Sequence, residues 1–233
     1  MTSALPARLL HLESAEDPAI TALRHDLAER LDEADLRVRI EPAPGDTAMS
    51  MIIYQCESPF ASVPEAEAWL GREAPGLATV RLDDLADLPA IDLPTAQAAE
   101  RLTEILLTAH ARTRAAAIAL CEALAPHALP GIDVLGRLRV QLRLRDSAEL
   151  DTAQLLACLL EAPGLDDDLK LERTDDLHRM AERLSWLLTG VTGARVAAQA
   201  VRESPHQADE IAVTLSCLQA TALAGRLTAG AAS

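Results

Sequence analysis

The N-terminal half of the chain alternates short apolar runs with apolar residues at helical spacing. The short runs predict four strands, at about residues 8–13, 36–42, 49–55 and 76–82. Helical spacing of apolar residues follows the first and third strands, in "DPAITALRHDLAERLDEA" and "PEAEAWLGRE". A longer helical pattern covers residues 94–127.

This alternation of strands and helices predicts a layered α/β domain with a parallel sheet. The third strand, around Ile52 and Ile53, is apolar on both faces, so we expect it at the centre of the sheet. In such sheets the functional surface lies beyond the carboxyl ends of the strands. The polar corner of residues 56–59, which follows the third strand, should therefore lie on that surface.

The second half has a different character. Residues 137–145 alternate leucine and valine with Arg137, Arg139, Arg143 and Arg145, which predicts one two-faced strand. From Ser147 to the end the pattern is helical, and it predicts a helical bundle. We therefore expect an α/β domain over residues 1–112 and a mostly helical domain over residues 113–233, with the boundary between 113 and 131. The sequence shows no evident internal repeat.

Charge and composition limit the function. The 233-residue chain has a net charge of −15 and only 2% aromatic residues, which argues against nucleic-acid binding and against binding to anionic membranes. The four cysteines form no C-x-x-C pair, and we expect free thiols in a reducing cytoplasm. The sequence has no secretory signal pattern and no apolar stretch long enough to cross a membrane, so we expect a cytoplasmic protein.

Several short motifs, taken in order, resemble a bacterial Toll/interleukin-1 receptor (TIR) domain. They are "SAED" after the first strand, "LDEADLRVRIEPAPGD" around the second, "IIYQCESPFAS" around the third, and the segment from "GLATVRL" to "AERLTEIL". The resemblance covers about residues 7–110. It implies a parallel, flavodoxin-like or TIR-like sheet and a role in bacterial signalling or defence.

The resemblance also implies candidate site residues. Enzymatic TIR domains cleave NAD with a glutamate on their third helix, and here the candidates are Glu65 and Glu67. Ser14, Asp17 and Ser58 would then line the NAD pocket. Two features depart from the family: its second helix has no room between Asp46 and the third strand, and its Trp-Cys pair is absent.

Other interpretations of these residues stay open. Glutamates are favoured in the first turn of any helix, because they interact well with its dipole. Acids at the strand ends could hold Mg²⁺, or they could be ordinary solvated loop residues; they are Glu13, Glu16, Asp17, Asp83 and Asp84. The arginines of residues 137–145 could grip an anion, or they could pair with some of the chain's many acids.

The leading hypothesis is a protein-interaction module. We expect a degenerate TIR-like adaptor or regulator that binds a protein partner or assembles with itself, without catalysis and without a cofactor. The alternative is an NAD-cleaving hydrolase, for which NAD is the substrate. A weaker alternative is a Mg²⁺-dependent α/β enzyme.

Overall fold

A computed structural model describes residues 17–43, 49–54, 60, 62–83, 87–145, 151–169, 174–201 and 210–231. The helices are α1 (Pro18–Glu33), α2 (Val63–Glu73), α3 (Ala96–Leu124), α4 (Asp151–Leu159), α5 (Thr174–Thr192) and α6 (Cys217–Ala231). The strands are β1 (Val38–Glu41), β2 (Met49–Ile53), β3 (Thr79–Asp83), β4 (Leu88–Leu93), β5 (Ile132–Gly136), β6 (Val140–Arg145), β7 (Ala197–Val201) and β8 (Glu210–Leu215). The strand predicted at residues 8–13 lies outside the described part.

The strands form two four-stranded sheets, and every pairing in both is antiparallel. The predicted parallel, flavodoxin-like or TIR-like sheet is therefore wrong. The reason is the length of the connections, since residues 42–48 join β1 to β2 and residues 84–87 join β3 to β4. A parallel pair needs a crossover of a dozen residues or more, whereas these connections are long enough only for hairpins.

The first sheet has the order β1-β2-β4-β3. The prediction that the third predicted strand, here β2, is central is confirmed, because β2 lies between β1 and β4 with all five residues buried. Strand β4 was not predicted, because "ADLPAIDLP" contains Pro89 and reads as a loop. The β2 ladder ends at Ala90, so the missing N–H of Pro89 leaves no gap in that pairing.

The second sheet has the order β5-β6-β8-β7, and it replaces much of the predicted helical bundle. Only β6 falls in the predicted strand; residues 197–201 and 210–215, which were predicted to be helical, form β7 and β8. Met180, Leu184 and Leu215 are buried in this unit, whereas Leu155 on α4 is 44% exposed and Trp186 on α5 is 80% exposed.

The chain contains an internal structural repeat that was not predicted from the sequence. The first unit runs from α1 to α3 and the second from α3 to α6. Each has the order helix, hairpin, helix, hairpin, helix, with an extra helix, α4, in the second unit. The 29-residue helix α3 is about 43 Å long, and it ends the first unit and begins the second. The predicted boundary region, residues 113–131, begins inside this continuous helix and extends past its end at Leu124.

The two sheets share one pairing register. In the first sheet Met51 faces Ile91, and in the second Leu142 faces Val213 at the equivalent place. The same register extends to the edge strands β1 and β5, so that Val38 corresponds to Ile132. The inward-facing positions are apolar in both units, whereas the outward-facing positions differ. The two units therefore share the apolar pattern of the core but not the residues of the outer surface.

The helices repeat their buried positions too. The last helix of each unit buries Ala-x-x-Leu-x-x-x-Leu, at Ala99, Leu102 and Leu106 in α3 and at Ala220, Leu223 and Leu227 in α6. The first helix of each unit buries two leucines four residues apart, and the turn after it buries a third; these are Leu27, Leu31 and Leu36, then Leu120, Leu124 and Leu129. The residue before each third leucine, Asp35 or Ala128, has a positive φ angle.

Each unit has its own hydrophobic core, and contacts near the middle of α3 join the two. The first core includes Leu102 and Leu106 of α3, and the second includes Leu120 and Leu124. Leu138, in the turn between β5 and β6, belongs to the core of the first unit although it lies in the second. The units are therefore packed against each other as well as joined by the helix.

Candidate functional site

Glu65 and Glu67, the two alternative candidates for a catalytic glutamate, both lie on α2. The Glu65 carboxylate is 3.6 Å from the guanidinium of Arg139, which comes from the second unit. Burial lowers the pKa of Arg139, and the nearby Glu65 carboxylate opposes that change. Glu67 is exposed on the same helix. Glu65 thus takes part in a contact between the units, and the structure shows no pairing of the two carboxylates.

Of the other predicted NAD-pocket residues, only Asp17 is among the described residues. Asp17 caps α1 by accepting a hydrogen bond of 2.9 Å from the backbone N–H of Ala19. Ser14 and Ser58 lie outside the described residues, as do Glu13, Glu16 and Asp84 of the predicted magnesium site. In the part of the chain that the structure describes, no three His, Cys, Asp or Glu side chains are grouped so as to hold a metal ion.

Charged side chains form a network on the outer face of the first sheet. The Arg39 guanidinium on β1 contacts Asp83 on β3 at 3.1 Å and Glu41 at 3.2 Å. The Arg81 guanidinium contacts Asp92 at 3.0 Å, and Asp92 also accepts a hydrogen bond from Ser50. These two arginines and three carboxylates pair with one another above the buried side chains of β2 and β4. The network is best explained as a structural one that shields the outer face of the first sheet from solvent.

The arginines of β6 are paired in the same way. Arg145 contacts Asp133 at 3.1 Å and Glu210 at 3.5 Å, and Arg143 lies 3.8 Å from Glu210. These contacts support pairing with the chain's own acids over the alternative of an anion site. A third group of charges joins residue 168 to α5, where Arg183 and Arg179 lower the pKa of the Asp168 carboxyl through hydrogen bonding and charge.

A groove in the first unit lies between α1 and the edge strand β1. It encloses about 430 Å³. Its lining combines three aliphatic side chains with one acid, one arginine and one tyrosine: Ala28, Leu36, Val38, Asp32, Arg37 and Tyr54. The Tyr54 side chain is 44% exposed at the end of β2. A groove of this size fits side chains of a bound chain or a small molecule.

The outer edge of β1 borders this groove and is unpaired within the described residues. The N–H of Tyr54 donates to the carbonyl of Arg37, so residues 37 and 54 form a hydrogen-bonded pair. Such pairs alternate along antiparallel strands. The backbone groups of Val38 and Ile40 therefore point away from β2, toward the open edge.

The second unit has a groove at the equivalent place, between the C-terminal part of α3 and β5. It encloses about 310 Å³ and is lined by Cys121, Leu124, Ala125, Ala128, Leu129, Ile132, Asp133 and Val134. The N–H of Arg145 donates to the carbonyl of Gly131, so by the same alternation Ile132 and Val134 present their backbone groups to the open edge.

Cys121 in the second groove corresponds to Ala28 in the first. Burial, together with the nearby Asp133 and Glu122 carboxylates, raises the pKa of the Cys121 thiol. A raised pKa keeps the sulfur protonated at neutral pH, and a protonated thiol is a poor nucleophile. Cys121 is therefore better suited to line the groove than to react in it.

Sequence reasoning missed both grooves, because they depend on the repeat and on which strands are edges. A weak signal was present. Leucines at 27, 31 and 36 recur at 120, 124 and 129, each time before an apolar strand. Comparison of the chain with protein-family models, with curated proteins and with solved structures gives no significant match. The resemblance to TIR domains therefore stays a prediction, and the antiparallel sheet differs from the one it implies.

Proposed function

We propose that this chain is a protein-interaction module that binds extended segments of a partner at its two grooves and does not act by catalysis. The observation that carries the proposal is the repeated placement of a groove with aliphatic lining residues beside a strand edge that no other described residue pairs with. An open edge offers backbone hydrogen bonds to an added strand, and a neighbouring pocket selects its side chains.

The chemistry of the grooves supports binding rather than reaction. Most lining side chains are aliphatic, and the one thiol has a raised pKa. The charged groups on the outer sheet faces are paired with one another. No observation favours NAD cleavage, since Glu65 faces Arg139 rather than a groove. The wider role as an adaptor or regulator in bacterial signalling or defence rests on the family resemblance and stays a prediction.

The proposal is tested by selecting random peptides displayed on phage against the whole chain. We expect enriched peptides whose binding is lost when a groove is filled, by Ala28→Trp in the first unit or by Cys121→Trp in the second. Matched controls are Ala22→Trp and Ala115→Trp, which place the same side chain at exposed positions of the same helices. Circular dichroism confirms that each variant folds.

Two results would overturn the proposal. One is a set of selected peptides that bind the filled and control variants equally well, because the grooves would then play no part. The other is release of nicotinamide when the pure chain is incubated with NAD, if this release is abolished by Glu65→Gln or Glu67→Gln with the fold unchanged. The second result would restore the enzymatic alternative.

A further inference from the structure

The C-terminal end of α1 carries acids where a helix normally disfavours them. Asp32 and Glu33 lie in the last turn, Asp35 follows it, and Glu29 lies one turn earlier. The C-terminal end of a helix has partial negative charge, so carboxylates there are unfavourable. None of these four acids has an ion-pair partner among the described residues; Arg30, the base in this turn, lies 3.9 Å from Asp26.

One of these acids belongs to the first groove. Asp32 lies one helical turn after Ala28, and both line the groove beside β1. A cation bound here would face Asp32 and the negative end of α1 together. The local electrostatic conflict would then be relieved by binding, and conflicts of this kind are expected at functional surfaces.

We propose that the first groove binds an extended, positively charged segment of a partner protein, which adds to the outer edge of β1 as a further strand. This inference rests on the proposed function and adds the chemistry of the partner. Backbone groups of Val38 and Ile40 pair with the segment. Its apolar side chains enter the groove over Ala28, Val38 and Tyr54, and its arginine or lysine side chains face Asp32.

The charge of the whole chain favours a different protein over a second copy. At a net charge of −15, two copies repel each other, whereas a basic segment is attracted over a distance of about 10 Å at 0.1 M salt. The groove's own arginine, Arg37, lies on the strand side and has an interaction of its own. We therefore expect acidic segments to be rejected.

The test uses ten-residue fluorescent peptides with valine at alternate positions and threonine between them, in which one central valine is replaced by arginine, glutamine or glutamate so that it lies on the same face as the remaining valines. Each peptide is titrated against the whole chain by fluorescence anisotropy. We expect the arginine peptide to bind about tenfold or more tightly than the glutamine peptide, and the glutamate peptide not to bind. The advantage of arginine should shrink as salt is raised. Equal binding of the arginine and glutamine peptides would overturn the charge selection.

Two further measurements locate the binding mode. Two forms of the arginine peptide carry N-methyl groups on alternate backbone nitrogens, one at the odd-numbered positions and one at the even-numbered positions. Only one of the two forms should lose binding, because a strand that pairs through one edge uses every second N–H group. Asp32→Lys should weaken binding about tenfold, while Glu33→Lys, with the same change in charge at a position that does not line the groove, should weaken it much less. Equal loss in both methylated forms, or in both variants, would overturn strand addition at this groove.

These outcomes separate the inference from the proposed function. If display selects uncharged peptides that are lost in Ala28→Trp, the interaction module stands and the basic partner is wrong. If sedimentation shows a dimer of the chain that is broken by Asp32→Lys or by the arginine peptide, the groove belongs to a second copy and the partner segment is wrong. If no displayed peptide depends on either groove, both proposals fail.

Discussion

His110 is the most conspicuous buried polar side chain that the described contacts leave unexplained. It lies on the buried face of α3, between the parts of this helix that belong to the two cores, and is only 5% exposed. Neither ring nitrogen has a hydrogen-bond partner in the described part of the chain. A buried polar group without a partner costs about 1–3 kcal/mol.

We predict that His110→Leu stabilises the fold by about 1 kcal/mol, because it replaces an unpaired polar ring with an apolar side chain. Urea denaturation followed by circular dichroism measures the change. His25→Leu, at an exposed position of α1, is the control and should have little effect. A clear loss of stability in His110→Leu would mean that the imidazole has a partner or a role that the described contacts do not show.

The contact between Glu65 and Arg139 gives a second prediction at this scale. The two side chains are 57% and 31% exposed, and ion pairs of this kind contribute about 0.2–1 kcal/mol. We expect Glu65→Gln to lower the free energy of unfolding by about 0.5 kcal/mol and to lose this effect when Arg139 is already replaced by glutamine. Glu67→Gln on the same helix is the control. An equal effect of Glu65→Gln with and without Arg139 would refute the pair.

At the scale of elements, β5 packs closely against α3 in the second unit. A Cβ atom placed on Gly136 would lie 2.5 Å from the Cβ of Ala117 and 3.1 Å from backbone atoms of α3 at Arg114 and Thr113. Because helix backbone cannot give way as a flexible side chain can, this position of β5 requires glycine.

We predict that Gly136→Ala destabilises the protein by about 1–3 kcal/mol, because it forces β5 away from α3. Gly71→Ala in α2 is the matched control, since nothing lies within 4 Å of its added Cβ. That change should stabilise the protein by about 0.5–1 kcal/mol through helix propensity. Thermal denaturation of both variants compares them directly, and equal behaviour of the two would contradict the close packing.

Most local elements of the first unit could be predicted from the sequence, but their arrangement could not. Helix α1, strands β1 to β3 and helices α2 and α3 follow from apolar spacing. The direction of pairing depends on the connections, and the short one before β2 was attributed to a missing helix rather than to a hairpin. In the second unit, β7 reads "AAQAV", whose alanines suit a helix and form a strand only through pairing with β8.

The candidate site was harder to predict, because edges and grooves are properties of the assembled sheets. Nothing in "LRVRIEP" says that β1 is an edge strand; that follows only from the order β1-β2-β4-β3. Glu65 was chosen as a catalytic group from a family pattern, and its contact with Arg139 depends on how the second unit packs on the first. The acids of α1 were visible in the sequence, but their position beside a groove was not.

At the scale of the whole molecule, the shared helix α3 and Leu138 should make the two units unfold together. Trp69 reports on the first unit, where it lies 5.9 Å from Phe60 between ring centres, and circular dichroism reports on both units. In a Trp186→Phe variant, which leaves one tryptophan, we predict coincident urea transitions from fluorescence and circular dichroism. A circular dichroism curve with two steps, of which fluorescence follows only one, would show that the units unfold separately.

Because α3 is continuous, it also fixes the angle by which one groove is rotated from the other about the helix axis. One residue inserted near the middle of this helix would turn the second unit by about 100° relative to the first, and would carry Leu138 and Arg139 away from their places on the first unit. A length change in the connections at 42–48 or 202–209 would not rotate one unit relative to the other. A partner that binds both grooves at once must therefore match the angle between the grooves about the axis of α3, in addition to the lining of each groove. The length of α3 fixes that angle.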